Sequence, residues 1–279
     1  MAFDIPGWYF TLSMGLFGLL FGSFANVVIW RVPRGESVAH PGSHCPGCDT
    51  PIAWYDNIPV VSWLVLRGRC RHCHKPIAPR YPLVEAASGA LFVAAALVWG
   101  PGARALFGAT LFWFLLALSL IDLEHMRLPN PLVAALAAVG LLGALLSELG
   151  GAHVVPLTAD GASGVAAHPL ALSLIGVLLG AGLPAMIAFV YSAIRGRSGF
   201  GMGDVKLLGA LGLFLGPYVL VTFFVASLLG AVGGAIIARG AALSQRRVPF
   251  GPWLAAGAVI TAVFGPSLVS GYLGLVGIA

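Results

Sequence analysis

The chain has 279 residues, of which 59% are hydrophobic and 9% charged, with a formal net charge of +5 and a mean hydropathy of +0.95. A soluble domain carries about 25% charged residues, so the composition excludes a water-soluble globular protein and points to an all-α polytopic membrane protein. The basic balance is what loops that orient membrane helices produce; it implies a lipid bilayer as partner and no nucleic acid.

The first apolar run, about residues 8–30, has no Lys or Arg before it. A cleavable signal peptide starts with a charged stretch, so residues 1–30 are expected to stay as a first transmembrane helix. Gly18 and Gly22, and the glycines of GAVGGAI further on, read as ordinary small-residue packing faces. Residues 31–81 are rich in Pro, Cys, His and Arg and are expected to form a small extramembrane domain. Seven further spans are expected in the bundle of 82–279, at roughly 82–100, 104–121, 130–149, 169–191, 204–217, 219–238 and 252–275. A span needs about 20 apolar residues, and the sixth, short and followed by Gly-Pro, is the weakest of an expected eight. No internal repeat is evident, and residues 150–168, with His153, Asp160 and His168, read as an external loop.

Charge sets the orientation. With eight alternating spans and 31–81 in the cytoplasm, fourteen of the fifteen Lys and Arg fall inside and only Arg104 falls outside. Basic residues collect in cytoplasmic loops, so both termini are expected to be external. Dropping the sixth span would place the Arg239–Arg247 loop outside, which argues for keeping it.

In the polar segment, CPGC (Cys45, Cys48) and CRHC (Cys70, Cys73) form two Cys-x-x-Cys knuckles. Each pair can clamp a metal from one turn, and two turns complete a tetrahedral thiolate set for Zn²⁺. Two disulfides are the alternative, rare in a reducing cytoplasm; a redox pair is another. The metal role is structural, because a domain this small lacks a sufficient core and four thiolates leave no open coordination position. His40, His44, His72 and His74 crowd the same segment; one of them replacing a Cys stays open.

The third span ends FLLALSLIDLEHMRLPNP, placing Asp122 directly after an apolar run, with Glu124 two residues on. The sixth begins within GFGMGDVKLLGA, which holds Asp204 and Lys206 among Gly199, Gly201 and Gly203. By the topology above, Asp122 and Asp204 reach the same membrane face. A carboxylate in a span costs about 2.5–3.5 kcal/mol at mid-depth and is a functional candidate. Two carboxyls sharing one water cannot both ionise easily, so one proton is held between them. The ionised partner takes a proton from water while the protonated one polarises a scissile carbonyl, as in an aspartic protease. The glycines would permit unusual backbone shapes and close approach by an extended substrate. The competing reading makes both aspartates interfacial, with Asp204 a helix N-cap.

GMGDVKLLGALGLFLG, IDLEHMRLPN, FGSFANVVIWRVP and DNIPVVSWLVLRGRCRHC…RYPLVEAASG stand in the order of the signature blocks of the bacterial type IV prepilin peptidases, which this chain resembles from about residue 18 to 216. A weaker block, PFGPWLAAG, lies at 249–257. The resemblance implies an eight-span inner-membrane enzyme whose site faces the cytoplasm and cuts basic leaders from prepilins and pseudopilins after a Gly. Asp122 and Asp204 match its catalytic pair, with Gly201, Gly203 and Lys206 in the supporting loop. Members with both cysteine pairs also N-methylate the new N-terminal residue with S-adenosylmethionine, and Gly68 and Glu85 match positions associated with that step. Asn130 departs from the family pattern, where an Asp follows the proline. Glu36, Asp49, Asp56, Glu85 and Glu124 could meet a basic leader, or could simply balance local arginines.

Rival chemistries are weaker. GRSG (196–199) and GASG (161–164) fit a serine-protease pattern, but all seven histidines fall in loops or at span edges, so no base is held in a helix. No His-Glu-x-x-His zinc motif exists. The non-enzyme rival is a transporter or channel using Asp122 and Asp204 as coupling carboxylates.

Overall fold

The computed structural model describes residues 3–150, 154–157, 168–196, 201–237 and 249–277. His153, Asp160, the GASG stretch, Gly199 and the Arg239–Arg247 loop lie outside them. Among the described residues the chain is helical without extended strands: α1 (Gly7–Arg31), α2 (Val61–Val65), α3 (Arg80–Trp99), α4 (Ala103–His125), α5 (Asn130–Gly150), α6 (Pro169–Val177), α7 (Leu183–Arg195), α8 (Met202–Leu215), α9 (Val219–Ile237) and α10 (Gly251–Leu275). A π-turn, Leu178–Gly182, joins α6 to α7.

Among the described residues, seven stretches are long and apolar enough to cross a membrane. The count of eight differs from this only in Met202–Ile236, one apolar stretch that the structure breaks at Gly216–Tyr218 into α8 and α9. Gly216, at φ 55° in the left-handed region, and Pro217 together stop the helix. At about 1.5 Å per residue, the 14 residues of α8 reach only about 21 Å, short of a full hydrocarbon core.

The chain divides into two compact units, residues 2–117 and 118–279. In the first, α1 and α3 pack antiparallel with their backbones touching. A Cβ on Gly22 would lie 2.6 Å from Glu85 Cα, and one on Gly18 would lie 2.8 Å from Gly89 Cα. The start of α4 joins them through Trp113, whose indole N–H donates to the Phe21 carbonyl at 2.8 Å and whose ring stacks on Phe24. In lipid, such close packing replaces the missing hydrophobic drive between helices.

The second unit is built around α8, whose side chains from Leu207 through Leu215 are all buried. Gly212 meets Gly176 of α6 so closely that a Cβ there would lie 2.6 Å from the Val177 nitrogen. Ser173 donates to the Leu213 carbonyl at 2.9 Å, and Gly140 of α5 faces Leu213 and Phe214. A helix apolar all round belongs in the middle of a bundle, and this central seating holds Asp204 in place.

Candidate active site and metal centre

The helix α4 does not stop at Asp122 but runs one turn further to His125, and Met126 at φ 50° ends it. Asp122 is buried, whereas Glu124 is exposed and lies 4.0 Å from His125. The Asp122 Oδ2 accepts the backbone N–H of Gly251 at 2.8 Å. Gly251 opens α10, so its N–H is one of the donors that helix geometry leaves without an intrahelical partner. A Cβ on Gly251 would lie 2.7 Å from that same oxygen, so a larger residue would have to displace the carboxyl. Sequence reasoning had no means of ranking Gly251, because its one signal was membership of the weak PFGP block.

Asp204 sits in the first turn of α8, with its N–H bonded to the Gly201 carbonyl at 3.1 Å. Its charge and that of Asp122 are close enough to interact. Two carboxyls from helices far apart in sequence are therefore brought within electrostatic reach inside the unit 118–279. Gly201 and Gly203 do not adopt unusual backbone shapes: Gly201 is extended (φ −73°, ψ 128°) and Gly203 is helical. What glycine supplies at 201 is space, since a Cβ there would lie 2.8 Å from Asp204 Oδ2. At 203 the nearest neighbour, Leu128, would be 3.4 Å away, an ordinary contact. Lys206 donates to Asn130 Oδ1 at 3.0 Å, tying α8 to the start of α5. The departure at Asn130 therefore falls on the partner of Lys206.

In the unit 2–117, the Sγ atoms of Cys45, Cys48, Cys70 and Cys73 all lie within 4.8 Å of one another. Cys45 and Cys73 are 3.8 Å apart, the edge of a tetrahedron with Zn–S bonds of about 2.3 Å. The Thr50 hydroxyl and backbone pull the Cys48 thiol down to about 6, towards the thiolate a metal needs. The Lys75 backbone favours the Cys73 thiolate too, but burial and the neighbouring thiols outweigh it and push that group up to about 11. Four sulfurs this close could hold a metal ion, and a four-thiolate donor set suits Zn²⁺. Histidines 40, 44, 72 and 74 are exposed and stand outside the cluster of ligand atoms.

The fold of this segment corrects the reading of an unrepeated chain. Cys-x-x-Cys-x-x-Pro-Ile-Ala occurs twice, at 45–53 and 70–78, and both copies fold alike. Asp49 and His74 both take the left-handed conformation, and the bridges His44–Pro51 and Arg69–Pro76 close matching loops. Each knuckle thus presents two sulfurs from one tight turn, and two copies make the tetrahedron.

Gly68 and Glu85 are both taken up by internal contacts. Gly68, at φ 66°, lies against the Trp63 ring, and its carbonyl accepts the Ile77 N–H at 2.7 Å. Glu85 accepts the N–H of Val60 at 2.7 Å and a bond from the Ser23 side chain. Val60 is a β-branched residue at φ 62°, a conformation that costs energy and needs such a clamp.

Residues 16–99 match the family model described as the bacterial peptidase A24 N-terminal domain, and residues 109–235 match that of the type IV leader peptidase family. Among curated proteins, the chain is 36% identical to a prepilin leader peptidase/N-methyltransferase of Aeromonas hydrophila, over 98% of this chain and 97% of that one. It is 41% identical to a protein of the same name from Klebsiella pneumoniae, over 72% and 83% of the two chains. A type 4 prepilin-like proteins leader peptide-processing enzyme of Escherichia coli O78:H11 is 37% identical over 88% and 90%. No solved structure gave a significant match. Matched nearly end to end and carrying its two carboxyls on the helices where the family's blocks fall, this chain belongs to the type IV leader peptidase family.

Proposed function

We propose that the chain is a prepilin leader peptidase that also N-methylates the residue its cleavage exposes, with Asp122 and Asp204 as the peptidase pair. The observation that carries the reading is their convergence: α4 and α8 bring two carboxyls within electrostatic reach, one of them buried and held by a backbone N–H. The transporter reading is not favoured, because the relatives that match nearly the whole length carry enzyme names.

One proton is shared between the two carboxyls, and a water lies between them. The ionised aspartate takes a proton from that water as its oxygen attacks the scissile carbonyl carbon. The protonated aspartate donates its proton to the carbonyl oxygen. Collapse of the tetrahedral intermediate breaks the C–N bond, and a carboxyl proton passes to the departing amine. The Gly251 N–H keeps Asp122 oriented throughout, and the cleaved amine is the N-terminus that methylation uses. S-adenosylmethionine supplies the methyl group.

Cys45, Cys48, Cys70 and Cys73 hold a structural Zn²⁺, supported by the 3.8 Å sulfur spacing. The distribution of Lys and Arg supports a multi-pass protein of the bacterial inner membrane with its peptidase site on the cytoplasmic face.

The test uses purified protein, a prepilin peptide and S-adenosylmethionine, with products weighed by mass spectrometry. Wild type should release the leader and add one methyl group to the remainder. Asp122→Asn and Asp204→Asn should each abolish cleavage while still methylating a pre-cleaved peptide. Cleavage retained by either variant would remove the pair.

A further inference from the structure

The short helix α2 is built inside out for a domain in water. Its Trp63 points inward, donating to the Ile77 carbonyl at 3.1 Å. Its outer face carries Val61, Leu64 and Val65, spaced i, i+3 and i+4, which are 52%, 62% and 70% exposed. Trp54, just before it in the chain, is 80% exposed. Exposed apolar clusters of this kind mark a surface that something covers.

Two observations say what covers it. Pro59, Val60 and Val61 form one end of a groove of about 1000 Å³ whose walls are the membrane-spanning helices α1 and α3. The outer face of α2 is therefore continuous with the apolar surface of the spanning helices α1 and α3. At the other end of α2, a cleft of about 560 Å³ is lined by the apolar Val65 and Leu66 together with Arg67, Arg69, Cys70, Arg71 and His74. Arg71 is committed to Asp56 through bonds of 2.8 and 2.6 Å. Arg67 and Arg69 are exposed, and no side-chain hydrogen bond or ion pair engages either among the described residues. Apolar side chains next to unspent guanidinium groups match the two ends of a phospholipid.

Both ends of the segment are fixed at the membrane. The antiparallel helices α1 and α3 bring Arg31 and Arg80 to one side, so residues 32–79 lie over a single leaflet. Trp30, half exposed at the end of α1 with the Arg34 guanidinium 3.7 Å from its ring, marks that boundary; aromatic and basic residues collect at such an interface.

We propose that this edge of the cysteine domain is an anionic-phospholipid site: α2 lies in the interface with Val61, Leu64 and Val65 in the lipid, and Arg67 and Arg69 hold the headgroup phosphate. Bidentate guanidinium–phosphate pairing suits the position, and each basic residue near an anionic surface adds attraction. The site pins the cysteine domain to the bilayer and is independent of the peptidase reading.

The full chain, reconstituted in nanodiscs of mixed phosphatidylcholine and phosphatidylglycerol, tests this. After mild detergent extraction, retained lipids are counted per protein by mass spectrometry. Wild type should retain phosphatidylglycerol selectively, and Arg67→Gln/Arg69→Gln should lose that preference by roughly thirtyfold, the worth of two basic residues at such a surface. Arg127→Gln/Arg195→Gln, which removes the same charge elsewhere, should behave as wild type, and Arg67→Lys/Arg69→Lys should keep part of the selectivity. Zinc content reports that the domain is folded; if the glutamine pair loses zinc, the lysine pair and Leu64→Ser/Val65→Ser decide, and wild-type retention by all of them overturns the site. Equal loss by the control pair would overturn it too, as an effect of bulk charge. So would inorganic phosphate binding to Arg67 and Arg69 in phosphatidylcholine-only discs without any lipid selectivity, because the ligand would then be soluble.

Discussion

Asp122 and Asp204 belong to one family motif set but are held in different ways. Asp122 is fixed by a neighbour far along the chain, through the Gly251 N–H, while Asp204 is fixed by its own helix turn, through Gly201. Gly251→Ala would keep the N–H but place a methyl group 2.7 Å from the Asp122 carboxyl, forcing one of them to move. A displacement near 1 Å in a catalytic group costs about 10²-fold in rate, so cleavage should fall by roughly that factor. The drop should appear in kcat with KM little changed, and methylation of a pre-cleaved peptide should persist. A variant that cleaves at the wild-type rate would show that the contact has no role in positioning. On sequence, the family resemblance ranks Asp122, which follows directly on the apolar run, above Glu124 two residues on. The buried-versus-exposed contrast between them gives that ranking its physical basis: α4 continues past both, and its turn of about 100° per residue sends the two side chains to different faces.

At the scale of elements, the two cysteine knuckles behave as one repeated turn used twice. Replacing any one of the four cysteines with Ser should lower zinc content and weaken methylation more than cleavage; metal analysis and the two-step peptide assay read both. The Arg71 guanidinium beside Asp56 bridges the first knuckle's flank to the second and holds the Asp56 carboxyl below its usual range. A lowered carboxyl contributes stability that is complete above the ordinary value near ~4 and is lost as pH falls through the lowered one. Asp56→Asn lacks that contribution throughout, so its zinc should be released at a higher pH than from wild type during acid titration. Coincident release curves would mean that the pair contributes nothing. The nine-residue repeat was present in the sequence all along. It went unseen because the copies share only their ligands and Pro-Ile-Ala, and short loop repeats carry no hydrophobic period to announce them.

For the molecule as a whole, the unit 118–279 depends on close backbone contact at the centre. Gly212→Leu would drive a side chain into the backbone of α6 at Gly176 and Val177. Overpacking in a close-packed core costs about 1–3 kcal/mol, and here the obstruction is backbone that cannot rotate away. Thermal unfolding in detergent should shift markedly downward, and cleavage should be lost with it. Zinc removal acts in the other compact unit, 2–117. Treatment with a chelator should therefore suppress methylation while leaving much of the leader cleavage, as measured on the same sample. Loss of both activities in step would contradict that separation.

The amino-acid order by itself determined the membrane class, the approximate position of each span and the two Cys-x-x-Cys pairs, and its family resemblance singled out the two aspartates. These are local properties: apolar run length, ligand spacing and a charge beside a hydrophobic stretch are written in consecutive residues. Only the tertiary structure decided that Gly251 steadies Asp122, that Lys206 answers to Asn130, and that α2 turns its apolar face outward. Each of those depends on which distant backbone comes within a few ångströms, and close packing settles such distances after the local periods have been satisfied.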